Sequence, residues 1–107
     1  MPASPSIGND QAGTNPEPFV LSEVLDISVA QNMRSELLAR VAADTPLTID
    51  ASRVEKIGTA AIQLLHAAGL ARAVRGKSMI VKNPTPAFVA GFTDIGFAAD
   101  LNNWSAN

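Results

Sequence analysis

Three short apolar runs, at residues 19–25, 47–51 and 79–81, are each followed by a longer segment with helical spacing. This alternation constrains the fold more than any other feature. Strands separated by helices imply a mostly parallel sheet with right-handed crossovers. The expected order is β-α-β-α-β-α, with room for an extra edge strand inside residues 19–27. No internal repeat is present.

Local signals place the boundaries. Residues 19–25 form a β-favourable run bounded by Pro18 and Asp26. Asp26 or Ser28 can cap the next helix, along which Ala30, Met33, Leu37 and Val41 recur at helical spacing. Glu36 and Arg40 form an i,i+4 pair on its polar side, and the helix ends near Asp44, before Pro46. Residues 47–51 are a second strand, with Val54 and Ile57 in the connection after it. A helix over 59–74 follows, with small residues (Ala60, Ala61, Ala67, Ala68, Gly69, Ala71) that allow close approach. Ile62, Leu64, Leu65 and Leu70 supply its bulk, and Gly76 stands in the favoured position past its end. After the strand at 79–81, Thr85-Pro86 gives an N-cap and a proline at the first helical position. Phe88, Val89, Phe92 and Ile95 make the last apolar stripe, and Gly96-Phe97 stops it. Leu101 and Trp104 are expected to cover one end of the core.

Residues 1–18 contrast with all this. They hold four prolines and two glycines, and Ile7 is their one strongly apolar residue. Such a segment cannot offset its ordering entropy by burial, so a disordered tail over 1–18 and one domain over 19–107 are expected.

Inventory closes much chemistry. There is no cysteine, which excludes disulfides, thiolate metal sites and cysteine nucleophiles. One histidine, His66, cannot build the usual imidazole metal site. No glycine-rich phosphate loop exists, so no cofactor is expected. A net charge of −2 with scattered basic residues argues against nucleic acid. No basic, apolar leader opens the chain and no run approaches the roughly 18–20 apolar residues of a membrane span. A cytoplasmic location without membrane insertion is the expectation.

Few residues remain to carry function. Asp26 and Asp50 each follow a strand and so are expected at one edge of the sheet, where sites in α/β folds gather. Each also has an ordinary role capping a turn or helix. Ser52 suits a turn hydrogen bond. Thr59 opens the alanine-rich helix. An N-cap explains it, and so does a phosphoacceptor, because a phosphate at a helix N-terminus meets unpaired N–H groups and the positive end of the dipole. A phosphate adds about −1.5 to −2 charge, enough to break a docked contact.

The residues also resemble a known family. Leu25-Asp26 followed by Ala30, Met33 and Leu37 is similar to the first strand–helix junction of STAS domains. Asp50-Ala51-Ser52-Arg53-Val54-Glu55-Lys56-Ile57 is similar to a family stretch, and Phe92 with Ile95-Gly96-Phe97 resembles its closing helix. Gly58-Thr59-Ala60-Ala61 falls where the family reads Asp-Ser-Ser/Thr-Gly, so Gly58, Ala60 and Ala61 depart from it and Thr59 keeps the acceptor position. The resemblance covers residues 19–104. It implies four or five mostly parallel strands with helices packed mainly on one side, and no catalysis. It also implies an anti-sigma factor antagonist that binds a histidine-kinase-type ATPase and is released by phosphorylation at Thr59. Asp26, Asp50, Ser52, Gly58, Thr59, Gln63 and His66 are then the partner-facing residues. Relatives in chemotaxis systems or phospholipid ABC transporters offer an alternative accessory role, in the latter with a threonine at this position supporting ATPase binding.

Two other classes make different predictions. An enzyme using Asp26 and Asp50 requires an enclosed pocket and a raised carboxylate pKa. A purely structural subunit requires an exposed apolar patch of several hundred Å2.

Overall fold

The structure is a computed structural model that describes residues 17–43 and 45–105. The tail expected over 1–18 lies outside these residues except for Glu17 and Pro18, as does the helix end expected at Asp44. The elements are β1 (Phe19–Val20), β2 (Val24–Leu25), α1 (Ile27–Ala42), β3 (Leu47–Asp50), β4 (Lys56–Ile57), α2 (Thr59–Val74), β5 (Met79–Lys82), α3 (Pro86–Asp94) and α4 (Ala98–Asn103). The fold is α/β with every strand pair parallel.

The strands form two sheets: a three-stranded sheet in the order β1-β3-β5, and a two-stranded sheet of β2 and β4. Phe19 stands opposite Ile49, and Ile49 opposite Val81. Phe19, Leu47, Ile49, Met79 and Val81 are buried, while Val20, Thr48 and Ile80 between them keep some exposure. The core therefore lies on one face of this sheet, the pattern that period-2 alternation produces.

The run at 19–25 is two strands rather than one. Leu21 still bonds to β3, its N–H 3.0 Å from the Asp50 carbonyl. Ser22, Glu23 and Val24 are then all exposed, so alternation breaks. The Glu23 carbonyl accepts from the N–H groups of both Glu55 (2.7 Å) and Lys56 (3.0 Å). The chain thus steps from one partner strand to another. The connection expected to hold Val54 and Ile57 contains β4 for the same reason.

The helices follow their local signals. α1 buries Ala30, Met33, Leu37 and Val41 and ends at Ala42. On its polar side, Arg40 reaches Glu36 at 3.4 Å and lies 5.3 Å over the Phe19 ring. α2 spans the expected residues but buries Ile62 and Leu65 while leaving Leu70 55% exposed, because Leu70 lies off the face turned to the core. At its end Gly76 adopts φ +71°, and the Lys77 N–H returns to the Arg72 carbonyl at 2.8 Å. Thr85 caps α3 by accepting from the Phe88 N–H at 3.1 Å. Gly96 (φ +88°) and the Phe97 N–H to Phe92 carbonyl bond (2.8 Å) close α3 in the same way. Phe88 and Phe92 are fully buried, whereas Val89 and Ile95 stand at the stripe's exposed edges. Trp104 is buried, edge-on to Phe92 at 5.5 Å, and Leu101 packs beside the core.

Arg72 is a buried cation that periodicity did not reveal. Its guanidinium donates to the carbonyls of Ser78, Val41, Ala43 and Thr45 at 2.9–3.3 Å. It ties α2 to the α1–β3 connection and to the approach of β5. No helix among the described residues is long and apolar enough to cross a membrane.

Candidate functional site

The starts of α1 and α2 lie together. The Gly58 N–H donates to the Leu25 carbonyl at 2.9 Å, which holds the residue before Thr59 against the residue before Asp26. Asp26 is the N-cap of α1, its Oδ1 accepting from the Val29 N–H at 3.0 Å.

Thr59 is the first helical residue of α2 and not its cap. Gly58 is extended (φ −95°, ψ 168°) and its carbonyl accepts the first helical bond from Ile62 at 3.1 Å. With glycine at the N-cap, no side chain caps this helix. The first-turn N–H groups of α2 therefore have no intrahelical acceptor and no side-chain acceptor from the cap. The Thr59 side chain is exposed, and its hydroxyl makes no hydrogen bond among the described residues. No acidic residue stands in the first turn of α2. A negative group on that oxygen meets the positive end of the α2 dipole, with the Asp26 carboxylate at the neighbouring start of α1.

Gln63, one turn on, is exposed and lines an open groove of about 370 Å3 between the two helices. Ile27, Ala30 and Arg34 of α1 form one wall, and Ala60, Gln63 and Leu64 of α2 the other. Ile27 is 63% exposed although it is the first residue of a helix whose later apolar residues are buried. Only one wall of this groove leaves a trace in the sequence, Ile27 followed by Ala30 and Arg34 at helical spacing; the other wall is set by the packing of α2.

Asp50 and Ser52 form a separate local pair. The Ser52 N–H donates to Asp50 Oδ1 at 2.9 Å. That bond, then the Ser52 hydroxyl, hold the Asp50 carboxyl below its usual 3.8 against the opposing effect of desolvation, with Lys82 and Arg53 adding lesser attraction. A general acid would need the opposite shift. Asp26 and Asp50 each accept from the turn that follows them, and no hydrogen bond joins them.

His66 turns toward the C-terminal helix. Its Nδ1 lies 2.5 Å from Asp100 Oδ2, and its ring stacks on Phe97 at 4.4 Å. The side chain is 30% exposed. Both partners come from residues over thirty positions away, which helical spacing alone does not expose. Among the described residues, no group of three or more His, Asp or Glu could hold a metal ion.

Residues 13–101 match the family model described as "Mlab, STAS domain", a match that begins inside the expected tail. Neither a curated protein nor a solved structure matches the chain significantly.

Proposed function

Because the chain belongs to the STAS domain family, we propose that it is a non-catalytic protein-binding module of the anti-sigma factor antagonist type. In this reading its partner is a histidine-kinase-type ATPase or anti-sigma factor, docked on the surface where α1 and α2 begin. The carrying observation is Thr59: exposed, unbonded and not required as a cap. Phosphorylation there adds a charge of about −1.5 to −2 without removing any hydrogen bond that holds the fold. The switch therefore acts on the partner and leaves the domain intact. Asp26, Gly58 and Gln63 flank Thr59 on the docking face. Asp50 and Ser52 shape the turn before β4, and His66 holds α4 against the same helix.

A second reading is favoured by the threonine itself. In an accessory subunit of a phospholipid ABC transporter, unmodified Thr59 supports binding to the ATPase and no switch is needed, while an accessory role in a chemotaxis system is suggested by the glycine-containing loop at Gly58. Gly58 in place of the family's loop Asp suits this reading, because it removes part of what a kinase would recognise.

The test is a tagged pull-down from native cells with wild type, Thr59→Glu and Thr59→Val, read by mass spectrometry. The switched module predicts that an ATPase is recovered with wild type and Thr59→Val and lost with Thr59→Glu. The accessory subunit predicts loss with Thr59→Val as well. The same partners with all three baits would reject both.

A further inference from the structure

The groove beside Thr59 does not end at Leu64. Leu64 also lines a second apolar groove of about 230 Å3, formed by Leu38 and Val41 of α1 with Ala67 and Ala71 of α2. The two stretches meet at Leu64 and lie end to end along a seam between α1 and α2, the first more open than the second. From Ile27 to Val41 it extends about 21 Å at 1.5 Å per residue, the length of roughly four helical turns. Ile27 and Leu38, 63% and 50% exposed, stand along it. Small residues of α2 (Ala60, Ala67, Ala71) line both stretches.

Charge along the seam is confined to one point. From Thr59 to Ala71, α2 carries no Asp, Glu, Lys or Arg. On α1 the charged residue that lines the seam is Arg34, which is exposed and makes no hydrogen bond or ion pair among the described residues.

We propose that this seam receives an amphipathic α-helix of a partner protein, with an acidic residue opposite Arg34. The inference rests on the docking reading of the same face and names the chemistry of the occupant. Length and open apolar walls suit a helix, which presents anchors at i, i+3, i+4 and i+7. The lone cation sets the sign of the polar contact and the register. Thr59 stands beside Ala60 at one end of the seam, so negative charge at Thr59 opposes an acidic helix and not a basic one.

The experiment titrates the 15N-labelled full chain with two synthetic helical peptides. They share one leucine pattern (i, i+4, i+7) and differ in a single flanking Glu or Lys. The acidic peptide should shift the amides of Ile27, Arg34 and Gln63 and bind at least about tenfold more tightly than the basic one. Arg34→Glu, at an exposed position, should reverse that preference while the circular dichroism spectrum stays unchanged. No shift along the seam with either peptide at millimolar concentration would overturn the proposal. So would a preference unaltered by Arg34→Glu. Shifts that track the chain's own concentration without peptide would assign the seam to a second copy instead. The two readings separate cleanly. Loss of the native partner in Thr59→Glu, with no peptide preference, removes the seam and keeps the docking face. The reverse result removes Thr59 and keeps the seam.

Discussion

The Gly58 N–H and the Leu25 carbonyl, 2.9 Å apart, hold the start of α2 against the start of α1. A Cβ on Gly58 would stand 3.4 Å from that carbonyl oxygen, an ordinary contact, and the extended backbone there suits any residue. Gly58→Asp should therefore be accepted and should supply the side-chain cap that α2 lacks. The expected gain is about 0.3–0.5 kcal/mol, or about 2 °C in thermal midpoint for a domain of this size. Thermal unfolding followed by circular dichroism checks it. A lower midpoint would show that the junction does not tolerate a side chain.

Features written in adjacent residues were legible in the sequence. Thr85-Pro86, Gly76 and Gly96-Phe97 each act within one helical turn, and the structure uses each as expected. The extent of α2 was equally local. The split of residues 19–25 was not, because it depends on where β3 ends and on Glu23 meeting Glu55 and Lys56 across the sheet. Thr59 is the N-cap that the sequence leads one to expect for α2, and the cap is instead Gly58. Their order was decided by which carbonyl accepts from Ile62, a matter of backbone geometry. Arg72 stands in the last turn of α2, where cations are ordinary, and its burial depends on carbonyls from a connection some thirty residues away. The seam was hidden for the same reason: it exists only where two helices meet.

Arg72→Met should be among the most damaging single changes. It retains some apolar bulk but leaves carbonyls of Val41, Ala43, Thr45 and Ser78 without their donor. A buried acceptor left unsatisfied costs about 1–3 kcal/mol, so a loss of about 3 kcal/mol or more is expected. Urea denaturation measures it. A loss below about 1 kcal/mol would mean that water replaces the guanidinium readily.

Gly69 faces the one tryptophan. A Cβ there would lie 2.6 Å from Trp104 Cζ2, so Gly69→Ala must displace the indole. The helix gains about 1 kcal/mol from alanine, against an overpacking cost of about 1–3 kcal/mol. A small net loss and a red-shifted emission from Trp104 are expected. Fluorescence spectroscopy reads both, and an unchanged emission maximum would contradict the close packing.

Asp50 gives a pH dependence with a defined sign. Its carboxyl is held below 3.8 in the fold, chiefly by the Ser52 N–H, so the unfolded chain binds the proton more readily. Its contribution is full above the unfolded value and is lost as pH falls through the lowered folded value. The stability difference between wild type and Asp50→Asn should be flat at neutral pH and should shrink below about pH 4. Denaturation at a series of pH values tests this. A difference that grew on acidification would contradict the assignment.

The most direct measurement is the affinity of purified chain for the ATPase recovered in the pull-down, by titration calorimetry, for wild type, Thr59→Val and Thr59→Glu. Circular dichroism should show all three equally folded, since the Thr59 hydroxyl makes no hydrogen bond among the described residues. The switched docking module predicts that Thr59→Val stays within about threefold of wild type, while Thr59→Glu weakens binding by about a hundredfold, or about 2.7 kcal/mol. Equal affinity for wild type and Thr59→Glu would contradict the central claim that this surface is where the partner docks.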